Sequence, residues 1–297
     1  MRHLTRLKKT ILMTLLLAFI SGGTPGLVTA QAPPSYPPAE LDKLVSRIAL
    51  YPDPLLAQVL AAATYPDQIP DAAKWADEHH YLTGDDLARA ITEDHLTWDA
   101  SVQALLPFPS VLDMMASDMN WTSELGNAFL AQHQDVMDAV QRMRKKARDY
   151  GYLRTNAQVV VSPGPYITIV PVSPAFVCVP VYDPLIVFVA PRPGFVVGGA
   201  IAFGFGVPLG FAFRPWGWGT TRIVWASHDV FIAGARWGRT WANRATYVHP
   251  YSAFHPVTGP RGPERHELIR RSEAERSAAR EGRARVEEHH PSRGEHR

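Results

Sequence analysis

The chain has 297 residues, 20% of them charged, with a formal net charge of +2 and a single cysteine. That length admits one or two domains, and one cysteine excludes an intramolecular disulfide, so folding must rest on an apolar core or on partners. Four bases lie in the first nine residues; without them the rest of the chain carries −2, which argues against a basic nucleic-acid-binding protein.

Residues 1 to 30 read as a secretory signal peptide. Arg2, Arg6, Lys8 and Lys9 form a basic head, ILMTLLLAFI at 11 to 20 a short apolar core, and Val28-Thr29-Ala30 a small-residue cleavage site. The apolar run is too short and wrongly flanked for a spanning helix. No cysteine follows it to carry a lipid. The expectation is export to the periplasm or cell envelope, with a mature chain starting at Gln31 and membrane association left open.

Residues 31 to 38, QAPPSYPP, are a Pro-rich leader of extended character. From 39 to 155 the pattern is helical. Leu41, Leu44, Val45, Ile48 and Ala49 recur at helical spacing, as do Leu87, Ala90 and Ile91, and Val102, Leu105 and Leu106. Thr83 with Asp86 predicts a capped helix over 85 to 93. Tyr-Pro-Asp occurs at 51 to 53 and again at 65 to 67. Pro52 disfavours helix at Tyr51, Asp53 suits an N-cap, and Pro54 suits the first helical position. Leu55, Leu56, Val59, Leu60 and Ala63 then give the helix a wide buried face, so both motifs read as punctuation in a bundle. Phe108-Pro109 restarts the chain in the same way. A last helix is expected from Thr122 to Tyr150, ending in bases that complement its dipole. Residues 40 to 138, by contrast, hold seventeen acids against four bases.

Residues 156 to 193 change to β texture: AQVVV, YITIVPV, FVCVPV and LIVFVA, separated by proline-containing turns, predict a small meander. GFVVGGAIAFGFGVPLGFAF at 194 to 213 carries no charge. Gly194, Gly198, Ala202, Gly206 and Gly210 form the small-residue row of a membrane helix. Every even position from 198 to 212 is also Gly, Ala or Pro, and the odd positions from 201 to 213 are a bulky set that includes Phe203, Phe205, Phe211 and Phe213, as in a strand with one aromatic face. Strand and helix both remain open, and either makes the stretch a membrane or assembly segment.

Residues 214 to 260 continue this Gly/Phe segment into a Trp/Arg-rich one. Trp225, Arg236, Trp237, Arg239, Trp241 and Arg244 could stack on sugars or pair with an anionic envelope polymer; equally, the tryptophans could cover a small core with arginines stacked on them. Residues 261 to 297, with ten bases and eight acids, form a disordered or solvated-helix tail. The fold class is therefore α+β: an N-terminal helical bundle, a small β-rich segment, a Gly/Phe-rich apolar segment and a charged tail.

LDKLVSRIALYPDPLLAQVLAAATYPDQIPDAAKW, NWTSELGNAFLAQHQDVMDAVQRMRKKA and FVCVPVYDP together resemble an exported bacterial family catalogued as domain of unknown function 3300, from about Leu41 to Pro184. The resemblance implies a signal peptide, a helical domain, a VPVYDP-type strand and a low-complexity, basic C-terminal region. It implies no activity, substrate or catalytic residue. Cys178 departs from the family pattern, standing where an aromatic is expected. Its β-branched neighbours give no activating environment, and His228-Asp229 cannot be placed beside it from the sequence. No H-E-x-x-H spacing and no phosphate-binding glycine loop occurs. The sequence thus favours a non-catalytic envelope protein with no cofactor, metal, nucleotide or nucleic acid, binding an envelope protein or anionic polymer. The alternatives are a membrane-inserting or self-associating protein acting through 194 to 213, and a hydrolase on envelope polymers that uses bundle carboxylates.

Overall fold

In the computed structural model, residues 31–192 and 198–250 are described. The expected signal peptide and charged tail lie outside them. The fold is α+β. Among the described residues eight α-helices come first: α1 Pro38–Val45, α2 Asp53–Ala63, α3 Ile69–Glu78, α4 Gly84–Glu93, α5 Ala100–Gln103, α6 Pro109–Ser117, α7 Met119–Ala131 and α8 His133–Asp149. Prolines in the first turns of α1, α2, α3 and α6 are tolerated because the missing N–H has no intrahelical acceptor there. Every residue of α2 except Pro54 is buried, which makes it the axis of the bundle.

Two local expectations change. Thr83 precedes α4 but its side chain makes no capping bond. The single long helix expected from Thr122 is instead two, α7 and α8, broken at Gln132 (φ −132°, ψ 48°). The Gln132 amide is used elsewhere: its Oε1 accepts from Tyr36 N at 2.6 Å and its Nε2 donates to Tyr36 O at 3.2 Å, tying down the Pro-rich leader. Where α7 crosses α2, Gly126 allows the backbones to meet. A Cβ there would lie 1.9 Å from the Ala63 carbonyl oxygen.

The β part is not a simple meander. β1 Val159–Pro163 and β2 Ile167–Pro171 form an antiparallel hairpin. Its outer edges are closed by side chains: Asn156 accepts from Val159 N, Thr155 accepts from Val161 N, and Gln141 of α8 accepts from Ile167 N. Capped in this way, the hairpin offers few free groups for edge pairing. β3 Phe176–Val177 and β4 Pro180–Tyr182 pair not with each other but with the Gly/Phe segment, β4 with β5 Ile201–Phe203 and β3 with β6 Val207–Pro208. Between β4 and β5 lies a one-turn helix, α9 Pro184–Val187, capped by Asp183. A three-stranded sheet follows: β7 Arg222–Val224, β8 Asp229–Ile232 and β9 Ala235–Arg236.

Residues 201 to 213 are thus neither one strand nor a helix, and the expected single aromatic face is overturned. Among the described residues no helix is long and apolar enough to cross a membrane. Phe213 is fully buried, Phe203 half-buried, and Phe205 and Phe211 exposed. The core explains the split. Leu209, Phe213, Trp216, Trp218, Trp225, Val230, Ile232 and Trp237 belong to the same apolar cluster as α2, α5, α6 and α7. The chain therefore has to turn inward after β6, at Gly210 (φ +47°).

Candidate functional site

The first Tyr-Pro-Asp motif does more than punctuate. Asp53, the first residue of α2, is only 4% exposed, and its carboxylate points into the core rather than capping the helix. There it meets Arg144 of α8, which is fully buried. Arg144 Nη1 donates to Asp53 Oδ1 at 2.6 Å and to Ile167 O of β2 at 2.8 Å. Its Nε donates to Ala49 O at 2.8 Å and its Nη2 to Tyr51 O at 2.9 Å. The indole N–H of Trp225 donates to Asp53 Oδ2 at 2.9 Å, and the guanidinium carbon lies 4.8 Å from the centroid of that indole. Two charges taken out of water require many partners, and these have them from α2, α8, β2 and the Trp225 turn. This is a structural knot, which corrects the reading of Asp53 as a cap. The second motif differs, since Asp67 is exposed in a short 3-10 turn.

The tryptophans repeat this logic. Trp216 Nε1 donates to Gln103 Oε1 (2.9 Å), Trp218 Nε1 to Ala104 O (3.0 Å) and Trp241 Nε1 to Gln31 O (2.8 Å). The Trp216 and Trp218 rings are buried in the core, Trp241 is half-buried under Arg244, and the one donor of each finds an acceptor on the N-terminal half. Of the residues expected to bind a polymer, Trp225 and Trp237 are buried. Arg239 lies 3.7 Å over the Tyr65 ring and donates to Thr64 O and Arg244 O. Arg244 stacks on Trp241 at 3.9 Å and donates to its carbonyl, both half-buried, and the exposed Arg236 pairs with Asp229. Trp225, Trp237, Arg239 and Trp241 tie segment 225 to 244 to the N-terminal half, Arg236 and Arg244 make their contacts within the segment, and the six do not form one open face.

Two histidines are held below the usual imidazole range by burial. His133 Nε2–H donates to the His228 carbonyl at 2.7 Å, and its ring packs on Phe129; His249, stacked on Trp237, is pushed down to about 4. In the unfolded chain imidazole titrates near ~6.5. Below that pH the unfolded state takes up protons that the folded state refuses. Stability present above about 6.5 is therefore lost progressively toward 4. Urea melts should show a lower midpoint at a pH of about 5 than at about 7.5, and a His133→Gln/His249→Gln variant should flatten the difference. An unchanged pH slope in the variant would rule these two groups out as its source. Among the described residues no group of three or more His, Cys, Asp and Glu is placed to hold a metal. Cys178 is half-buried, and burial pushes its thiol up, away from thiolate.

What stays open is the outer face of the ribbon that β3 and β4 make with β6 and β5. Val177 pairs with Val207 and Pro180 with Phe203, so two residues on one strand oppose three, Gly204-Phe205-Gly206, on the other. That is a β-bulge, which re-aims a side chain. Phe205, the middle residue, is completely exposed. Gly206 lets the partner strand pass, because a Cβ there would sit 3.2 Å from that of Phe176. Val181 and its partner Ala202 face outward beside it, while Val177, Pro180 and Tyr182 face inward. Tyr182 anchors the ribbon through its hydroxyl, donating to Ser46 O at 2.9 Å. Leu185, Ile186 and Val189 are exposed at one end and Phe211 at the other. Of the expected membrane or assembly residues, Phe205 and Phe211 are outward, Gly198 and Gly210 are exposed, Gly210 in a turn, Gly206 is in the bulge, and Phe203 and Phe213 face inward. Phe203 instead lines a recess of about 280 Å³ with Leu50, Val159, Ile169 and Ile201.

Residues 37–192 match the model of a family described as a protein of unknown function, DUF3300. The chain is also 41% identical over 138 residues to the uncharacterized protein YacH of Escherichia coli strain K12, covering 44% of this chain and 22% of that protein. No solved structure matches it.

Proposed function

The chain belongs to the DUF3300 family, and we propose that it is an exported, non-catalytic cell-envelope protein that attaches through the outer face of this ribbon. The observation that carries the reading is a strand pair, anchored through Tyr182, with large apolar side chains turned to solvent on it and on the α9 turn that follows β4: Phe205 complete, Val181 at 65% and Leu185 of α9 at 81% exposure. Scattered exposed apolar residues need no explanation, but several on one anchored element mark a contact surface. The basic head, apolar core and small-residue site of residues 1 to 30 support export. The Asp53 carboxylate, which a hydrolase could use, is locked to Arg144 in the core.

Leu185→Ser/Phe205→Ser removes exposed side chains and should leave the melting curve unchanged. In cell fractionation the intact chain, beginning at Gln31, should stay with the washed envelope, and the double variant should move to the soluble periplasmic fraction. Equal distribution of the two, or recovery of a chain retaining Met1 from the cytosol, would overturn the reading.

A further inference from the structure

We infer that the ribbon's outer face sits on the surface of an anionic lipid bilayer, an assignment that rests on the attachment reading above. Charge and side-chain chemistry together select this occupant. Residues 171 to 219 contain one acid, Asp183, and two bases, Arg192 and Arg214, in contrast to the acid-rich helical segment. The Asp183 carboxylate is engaged, accepting from Leu185 N at 2.8 Å, and both arginines are exposed. The Arg214 guanidinium carbon lies 4.0 Å over the exposed Phe211 ring. An aromatic ring with a guanidinium on its face suits the boundary of a bilayer: the ring enters the acyl edge while the cation reaches lipid phosphates.

The alternatives fit less well. A polysaccharide is held by hydrogen bonds as well as stacking, but the outward residues Val181, Ala202 and Phe205 offer no polar side-chain group. A second copy related by a two-fold axis would bring the same patch against itself. The excess of bases over acids in 171 to 219 would then be doubled across an interface whose segment holds only Asp183 as an opposite charge on each side. An anionic bilayer supplies both an apolar phase and the missing negative charge.

The test is flotation of the chain from Gln31 to Arg297, so that the apolar run at 11 to 20 cannot supply binding. Vesicles of phosphatidylglycerol with phosphatidylethanolamine are compared with vesicles of phosphatidylcholine alone. The intact chain should float with the anionic vesicles, lose binding as salt rises, and bind the zwitterionic ones poorly. Leu185→Ser/Phe205→Ser, with an unchanged melt, should reduce the bound fraction by about tenfold or more, since each large apolar side chain kept out of water is worth on the order of that factor. No flotation, flotation indifferent to the double substitution, or equal binding to both vesicle types would overturn the assignment. So would a dimer in sedimentation equilibrium that the double substitution dissolves, which would make the occupant a second copy. If the variant leaves the envelope fraction in cells while intact protein ignores both vesicle types, the attachment reading stands and only the lipid assignment falls.

Discussion

Asp53→Ala is expected to destabilise the protein by about 3–5 kcal/mol, a large share of the ~5–15 kcal/mol that holds a typical domain together. The substitution leaves the Arg144 guanidinium buried without its counter-charge and strips Trp225 Nε1 and Ile169 N of their acceptor. An exposed N-cap aspartate would cost only about 1 kcal/mol. Trp225→Phe, which keeps most of the ring but removes one charge-assisted bond, should cost about 1.5–3 kcal/mol. It should also be non-additive with Asp53→Ala, because the two share a bond. Chemical denaturation of the two single variants and the double variant measures both points. A loss near 1 kcal/mol for Asp53→Ala would return the residue to the role of a simple cap.

The second large effect is expected at Gly126. On helix propensity alone, alanine there should stabilise α7 by about 1 kcal/mol. The structure reverses the sign. The new methyl would lie 1.9 Å from the Ala63 carbonyl oxygen and 2.5 Å from its carbon, both backbone atoms of the buried α2. No rotamer relieves a Cβ clash, so the helices must separate. Gly126→Ala should cost at least the upper part of the about 1–3 kcal/mol typical of overpacking. A thermal melt at or above that of the intact protein would mean that α2 and α7 do not approach as described.

Much of the helical part is legible in the sequence, because a 3.6-residue apolar period and proline at a first helical turn are local signals. Leu55 to Ala63 are buried as their spacing requires. Asp53 reads as a cap because a capping aspartate and a buried one look alike until the partner is found, and the partner is 91 residues away. A signal was present on the other side: Val136, Val140, Arg144 and Ala147 share one stripe of α8, and all are buried. An arginine in an apolar stripe asks for a carboxylate.

The β ribbon was harder to foresee. Strict alternation through residues 200 to 213 favours extended chain, which is found at β5 and β6. A periodicity count cannot see the extra residue at Gly204-Phe205-Gly206, which turns Phe205 outward while Phe203 before it and Val207 and Leu209 after it stay on the inner side. It also cannot reveal that β3 and β4 find their partners beyond residue 200 rather than in each other. The tryptophans were readable as core or as ligand platform. The indole N–H bonds to Gln103, Ala104 and Asp53 decide for the core at Trp216, Trp218 and Trp225.

The claim that the ribbon's outer face is the contact surface is met most directly by photo-cross-linking in growing cells. A photoreactive residue is placed at 205, in the bulge, or at position 85, also exposed, on the acid-rich α4. Adducts with an envelope component should form from position 205 and not from 85. Adducts of equal yield from both positions, or from 85 alone, would contradict the account.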